Sequence, residues 1–179
     1  ALLAACASSP SSSLGELPRT PDASIEQLLE QATNAKTPEK AALLRLSAAD
    51  LAYQQNNPGR SSQILAQVPL DALKPAAQVF ASTLAAELAM GRNQPKAALA
   101  ALNHPSLQNL KELPTDQQIR TGTVHARAYE ADGQTLAAAR ERVAMAPLLT
   151  AEAASSNHEA IWVLIAALPA EQLQATGNP

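Results

Sequence analysis

The chain has 179 residues, a formal net charge of −3 and few aromatic side chains, with one Trp, two Tyr and one Phe. This length suits one domain of ordinary size, or a domain with a tail. The basic residues are scattered and the net charge is slightly negative, so the electrostatic footprint of a nucleic-acid-binding protein is missing and no nucleic-acid partner is expected.

A processing motif stands at the start of the chain. Leu3-Ala4-Ala5-Cys6 places an apolar and two small residues before the single cysteine, which resembles a bacterial lipobox. There the cysteine thiol carries diacylglycerol and the preceding peptide is removed, so residues 1–5 are predicted to be a signal-peptide remnant. Ala7 stands where an aspartate would signal inner-membrane retention, so the predicted location is the periplasmic face of the outer membrane. An unmodified cysteine in a loop is the alternative.

Residues 6–22 are predicted to hold the lipidated cysteine and a flexible linker. This stretch is rich in Ser and Pro and lacks helical periodicity. No later apolar run reaches the roughly 18 residues of a membrane-spanning candidate. The lipid would therefore be the membrane attachment.

Residues 23–179 are predicted to form one helical domain. Ser24 and Thr115 each precede a glutamine by three residues, the pattern of a capping box. Prolines at positions 38, 58, 75 and 95 mark four further helix starts. Asp132-Gly133 would end the helix that begins near Thr115, and two more helices are predicted over 135–146 and 152–168. Because no segment alternates with period two, the predicted fold class is all-α.

Three parts of the sequence resemble one another. LAYQQNNPGRSSQIL at 51–65 aligns with LAMGRNQPKAALAAL after a shift of 37, and a further shift of 39 brings Asn93 to Asp132. These intervals are close to the tetratricopeptide period of about 34 residues. A small residue at Ala52, Ala89 and Ala128 would let paired helices approach closely. We predict antiparallel helical hairpins stacked as a tetratricopeptide-like solenoid; chance similarity between alanine-rich helices is the alternative.

No catalytic or metal-binding pattern is present in the sequence. His104, His125 and His158 are 21 and 33 residues apart, which excludes a local pair of metal ligands, and Cys6 has no second thiol as a partner. A glycine-rich phosphate loop, a zinc-protease helix motif and a serine elbow are also missing. We therefore predict no enzyme activity, no metal and no cofactor.

Two clusters of side chains have alternative interpretations. His158, Glu159 and Trp162 could form a pocket wall, but a tryptophan packed in the core with polar neighbours at its rim is favoured. A modest basic region consists of Arg120, Arg127, Arg140 and Arg142. A solvated helix face is favoured for these arginines, and contact with an acidic partner is the alternative.

The sequence resembles the N-terminal part of the LpoA (LppC-type) lipoproteins, outer-membrane activators of class A penicillin-binding proteins, and closely resembles the pseudomonad members. The motifs that carry the resemblance are LAACAS, LAYQQNNPGRSSQIL, HARAYEADGQTLAAARERVAMAPLL and NHEAIWVLIAALPAEQL. In this family an apolar Pro-Leu-Leu, here at 147–149, is followed shortly by a helix with the pattern Asn-x-x-x-Ile-Trp or Asn-x-x-x-Thr-Trp, here Asn157 to Trp162. Together the motifs extend over nearly the whole chain.

This resemblance implies a tetratricopeptide-like N-terminal domain. In the family, a C-terminal domain similar to type I periplasmic binding proteins follows, and this sequence, ending at Pro179, is expected to lack it. The family is regulatory, so no catalytic residue carries over, and Cys6 alone transfers as the lipid-attachment residue. The implied partner is a bifunctional class A penicillin-binding protein, contacted mainly through the absent domain, with peptidoglycan as a second candidate.

The implied function is stimulation of the transpeptidase of that synthase, and thus a role in peptidoglycan synthesis and cell shape. The alternative function is a periplasmic tetratricopeptide-like scaffold lipoprotein of an outer-membrane assembly system. A third class, a peptidoglycan hydrolase, would need paired carboxylates around a groove.

Overall fold

The computed structural model describes residues 13–19, 21–170 and 172, and within them it contains only helices and their connections. The α-helices are α1 (Ile25–Thr33), α2 (Pro38–Gln54), α3 (Pro58–Leu65), α4 (Pro75–Gly91), α5 (Pro95–Leu102), α6 (Thr115–Ala131), α7 (Thr135–Met145) and α8 (Ala151–Ala166). Short 3-10 helices occupy Leu70–Ala72, Pro105–Glu112 and Ala146–Leu148. The all-α prediction is confirmed. Residues 1–5 and Cys6 lie outside the described part.

Most of the predicted helix starts are confirmed. At α1, the Ser24 hydroxyl accepts a hydrogen bond from the Gln27 N–H, and the Gln27 side chain accepts one from the Ser24 N–H, which completes the capping box. Proline occupies the first position of α2, α3, α4 and α5. Its missing N–H costs no hydrogen bond there, because the first helical N–H groups have no partner within the helix.

The second predicted capping box is wrong. Pro114 is the N-cap residue of α6, no side chain caps the helix, and Thr115 is already helical. The Gln118 side-chain amide instead donates to the Leu113 carbonyl oxygen at 2.7 Å. A proline disfavours helical backbone in the residue before it, and Leu113 is indeed extended. The chain therefore enters the helix one residue earlier than the Thr-x-x-Gln pattern predicts.

Three helical hairpins repeat along the chain. The first helix of each hairpin, α2, α4 or α6, has 17 residues. After three connecting residues, α3, α5 or α7 follows. The middle connecting residue has positive φ in each case: Asn56 at 58°, Asn93 at 57° and Gly133 at 75°. The hairpins start 37 and 40 residues apart, so Gly133 is the structural equivalent of Asn93, and the predicted match to Asp132 is off by one residue.

Small side chains let the helices pack closely. Ala52, Ala89 and Ala128, which the repeat alignment assigned to helix contacts, are at most 2% exposed. Each helix from α1 to α8 packs mainly against its neighbours in the chain, and α4 also packs against α6. Buried apolar residues form successive clusters along this series. Such nearest-neighbour packing is the property of a solenoid, and the fold is tetratricopeptide-like.

Residues 14–19 contact the helical array, although they belong to the predicted flexible linker. The Leu14 carbonyl oxygen accepts a hydrogen bond from the Ala76 N–H at 2.8 Å. Leu17 packs against two of the buried clusters. The Arg19 carbonyl oxygen accepts a hydrogen bond from the Ser47 hydroxyl at 3.4 Å. This part of the predicted linker therefore contacts the array, and its two leucines pack against buried clusters.

Candidate functional site

A groove of about 670 Å³ runs across the first helices of the three hairpins, α2, α4 and α6. Its volume lies in the range of small-molecule sites, about 300–1,000 Å³. The polar side chains of its wall are Tyr53, Gln54, Asn56, Glu87, Thr123, Arg120 and Arg127. Apolar contributions come from Leu88, Met90 and Val124. Because the three helices are structural equivalents, the repeat itself places these residues side by side.

A cluster of three charged side chains joins the helices at the groove, with Glu87 and Arg120 in its wall. Arg120 on α6 donates from Nη2 to Asp50 on α2 and from Nε to Glu87 on α4, each at 2.7 Å. The Arg120 guanidinium carbon also lies 5.0 Å from the centre of the Phe80 ring. Only 24% of the Arg120 side chain is exposed. The prediction of a solvated helix face is therefore wrong for Arg120.

Burial sets the electrostatics of this cluster. Desolvation raises the pKa of the Glu87 carboxyl, and the Arg120 charge offsets this only in part. Burial, and after it the neighbouring Glu87 carboxylate, raises the pKa of the Tyr53 phenol. Burial also works against the charge of Arg120, but the hydrogen bonds and charges of Asp50 and Glu87 outweigh it and raise the pKa of Arg120. Arg120 therefore remains charged and is paired with two carboxylates, Asp50 and Glu87.

The other three arginines have different environments. Arg142 on α7 donates to Glu130 on α6 at 2.6 Å, and its side chain is 16% exposed. The prediction of a solvated face is wrong for Arg142 too. Arg127 and Arg140 are exposed, and neither forms an ion pair with another described residue. The prediction is thus right for these two alone.

The apolar run on α8 faces outward at Trp162. This side chain is 70% exposed, as is Val163, whereas Ile161 is 8% exposed. His158 and Glu159 are exposed as well, so the favoured prediction of a core tryptophan with a polar rim is wrong. A run of consecutive apolar residues passes around the whole helix, so it cannot indicate which of them faces inward.

Asn157, the first residue of the family motif on α8, has a structural contact. It is buried, and its side-chain N–H donates to the Arg142 carbonyl oxygen at 2.8 Å. That carbonyl lies in the last turn of α7, where the Ala146 N–H bonds to Val143 instead. Asn157 therefore supplies a donor to a helix end that lacks one and joins α8 to α7.

The described residues hold no cluster that points to metal chemistry. Among them, no group of three or more His, Cys, Asp or Glu side chains could bind a metal ion. His125 on α6 stacks on Tyr129, with ring centres 4.6 Å apart, and its Nδ1 lies 3.5 Å from a Glu141 oxygen. In the same part of the chain, no helix combines the length and the apolar character needed to cross a membrane. Cys6, the predicted lipid-attachment residue, lies outside it.

Solved structures of LpoA share this fold. The amino-terminal domain of E. coli LpoA is 20% identical with a TM-score of 0.59, and the match covers 89% of this chain and 69% of that chain. The N-terminal domain of Haemophilus influenzae LpoA is 20% identical with a TM-score of 0.53, over 85% of this chain and 67% of that chain. Full-length H. influenzae LpoA is 19% identical with a TM-score of 0.54, over 88% and 28%. The chain thus spans little more than a quarter of full-length LpoA.

Sequence comparison assigns the family. No curated protein sequence matches the chain. The family of LppC putative lipoproteins, however, matches residues 18–179, which include every described helix. Together with the shared fold, this match confirms the family resemblance that the sequence motifs carried. The chain belongs to the LppC family of putative lipoproteins.

Proposed function

We propose that the chain is the anchor-proximal helical module of an outer-membrane lipoprotein that activates a class A penicillin-binding protein. The module is regulatory and catalyses no reaction. The observation that carries this proposal is the LppC family match over 18–179, joined to the fold of LpoA N-terminal domains. In this role the stacked hairpins hold the activating part of the protein at a distance from the membrane and offer an interaction surface.

The proposed membrane attachment is a lipid on Cys6. Residues 1–5 are removed as the end of a signal peptide, and the periplasmic domain follows the lipidated cysteine. Two or more acyl chains hold a protein stably at a bilayer, because each buried methylene contributes about 0.8 kcal/mol. Ala7, in place of an aspartate, supports transfer to the outer membrane.

Metabolic labelling tests the anchor. Cells that produce the protein are fed an alkyne analogue of palmitate, and Cys6→Ser is compared with Ser8→Ala as a matched control. We expect label on the wild-type protein and on Ser8→Ala, both in the outer-membrane fraction. Cys6→Ser is expected to lose both the label and the location. Equal labelling of Cys6→Ser would contradict the proposed attachment site.

Cross-linking in the cell envelope tests the partner. The protein as the cell makes it is tagged, cross-linked and purified, and the attached proteins are identified by mass spectrometry. We expect a class A penicillin-binding protein. A membrane assembly complex in its place would favour the scaffold function.

Synthase assays test how the function is distributed. The chain from residue 13 to 179 is expected to stimulate cross-linking by the synthase weakly or not at all by itself, whereas the whole cellular protein stimulates it. Equal stimulation by the two would contradict the proposed role as a spacer. Release of muropeptides from sacculi by the isolated chain would contradict the regulatory assignment.

A further inference from the structure

The side of α8 that faces away from α7 combines an exposed indole with polar side chains. We propose that this side binds an N-acetylated, β-1,4-linked glycan strand, the carbohydrate of peptidoglycan, with one sugar ring stacked on Trp162. The site rests on the proposed function for its periplasmic location, and it gives the module a ligand other than the synthase.

Four exposed side chains make up this outer face of α8. Trp162 is 70% exposed. Glu159 and His158 precede it by three and four residues, so their Cβ atoms lie one turn away, at about 5–6 Å. Ser155 adds a hydroxyl one turn further along the helix. All three polar side chains are exposed, so indole, carboxylate, imidazole and hydroxyl are open to one ligand.

The buried side of α8 fixes the rotation of the helix. Asn157 donates a hydrogen bond to α7 at 2.8 Å, and Ile161 is 8% exposed. Because successive helical residues are about 100° apart, this packing keeps Trp162 on the outside. The indole is thus presented to solvent by a helix that is held in place, as a binding side chain requires.

These groups suit the chemistry of an N-acetylated sugar. In a β-linked pyranose with equatorial substituents, the ring faces carry C–H groups, which are attracted to the negative face of an indole. The acetamido N–H can donate to Glu159, and its carbonyl oxygen can accept from His158 or Ser155. The distance from Ser155 to Trp162 is two turns, roughly 10 Å, which is about the length of a disaccharide.

The polar members of the face disfavour other occupants. A helix packed on α8, from this protein or from a second copy, would need an apolar stripe, and it would bury the Glu159 carboxylate. That carboxylate forms no ion pair with another described residue, so its burial would be costly. A membrane surface also fits poorly, because α8 contains no Lys or Arg, which enrich the polar face of membrane-surface helices.

Co-sedimentation with purified sacculi tests the site in the whole protein as the cell makes it. Trp162→Ala and Glu159→Ala are compared with Val163→Ala as the matched control, because Val163 is also 70% exposed but lies about 100° around the helix from Trp162. Chitotetraose, which carries acetamido groups, and cellotetraose, which lacks them, serve as competitors.

We expect the wild type and Val163→Ala to sediment with sacculi and to be released by chitotetraose but not by cellotetraose. Trp162→Ala is expected to weaken binding roughly tenfold through loss of the aromatic contact. Glu159→Ala should weaken it about fivefold through loss of one hydrogen bond. The synthase should still cross-link to Trp162→Ala, so failure of this site and failure of the proposed function are distinguishable.

Fluorescence of the 179-residue chain provides a second measurement, since Trp162 is its single tryptophan. Circular dichroism verifies that the chain is folded, and saturable quenching by chitotetraose is expected. The proposal is overturned if chitotetraose leaves the emission unchanged, or if Trp162→Ala sediments as the wild type does. It is also overturned if the emission changes with protein concentration alone, because a second copy would then cover the indole.

Discussion

Ile161 and Trp162 are neighbours on α8, but they occupy opposite environments, with 8% and 70% of their surfaces exposed. Ile161 is buried in the described structure, so truncating it removes packing and leaves a cavity. We expect Ile161→Ala to lower the free energy of unfolding by about 2–4 kcal/mol. Trp162→Ala should change it by about 0.5 kcal/mol or less, as is usual for surface substitutions.

Urea denaturation followed by circular dichroism measures both variants without relying on tryptophan fluorescence. A loss for Trp162→Ala as large as that for Ile161→Ala would mean that the tryptophan is covered in solution.

His125 makes stability depend on pH. Burial lowers the pKa of its imidazole, and the nearby Glu141 carboxylate offsets this only in part. Below the ordinary imidazole pKa of about 6.5, the unfolded chain takes up a proton that the folded chain resists. The free energy of unfolding should therefore decrease as the pH falls from 7 towards 5.

His125→Phe keeps a ring to stack on Tyr129 and removes this titration, so its urea midpoint should decrease less between pH 7 and pH 5. His158→Gln, on the exposed face of α8, serves as the control and should follow the wild type. A steeper decrease in His125→Phe would show that Glu141 stabilises the protonated ring instead.

The residues of the charged cluster show where prediction from sequence stops. Asp50, Glu87 and Arg120 come from three different hairpins. Arg120 lies 70 residues after Asp50 and 33 residues after Glu87 in the sequence. The shift of 37 residues places Asp50 and Glu87 at equivalent positions of the repeat, but no pattern in the sequence pairs either of them with Arg120. The sequence therefore groups Arg120 with the arginines that follow it, although its partners lie on α2 and α4.

At the scale of the helices, the middle turn residue of each hairpin has a positive φ. It is asparagine in the first two hairpins and glycine in the third. Asparagine and glycine tolerate left-handed backbone better than other residues. At Gly133 a Cβ atom would contact nothing within 4 Å, so only backbone strain opposes a side chain there. We expect Gly133→Ala to lower the free energy of unfolding by about 1–2 kcal/mol.

Gly59 provides the matched control for that substitution. It lies inside α3 with ordinary helical φ, and a Cβ atom there would also meet nothing within 4 Å. Gly59→Ala should raise stability by about 0.5–1 kcal/mol, because alanine loses less conformational entropy in a helix. Thermal unfolding of the two variants measures this. Destabilisation by both would point to a cost of the side chain itself and contradict the backbone explanation.

Helix starts were predictable because their causes are local. A proline at the first helical position and a Ser-x-x-Gln pair act within one turn, and both agree with the structure at α1 to α5. The predicted start of α6 is one residue too late, because Pro114 is the N-cap residue and Thr115 is already helical. The extra residue between the second and third hairpins was missed for a similar reason, because alanine-rich helices align about equally well at 39 or 40 residues.

For the whole molecule, the N-terminal segment is part of the stability of the array. Leu17 contacts two buried clusters, and Leu14 bonds to the start of α4. A chain that begins at residue 23 should therefore be less stable than one that begins at residue 13, by about 1–3 kcal/mol, the usual value of one buried leucine.

Leu17→Ser in the longer chain separates packing from length, and we expect it to reproduce most of that loss. Urea midpoints of the three proteins measure the effect. Equal midpoints for the chains that begin at 13 and 23 would restore the interpretation of residues 6–22 as a free linker.

The packed N-terminal segment also has a mechanical consequence. If the lipid is on Cys6, only eight residues lead from it to Leu14, and an extended chain covers at most about 3.6 Å per residue, or roughly 29 Å. The tether is then shorter than a bilayer is thick. It meets the array at the first turn of α4, in the middle of the hairpin series. A pull from the membrane would load the array from its side, with hairpins on both sides of the point of attachment.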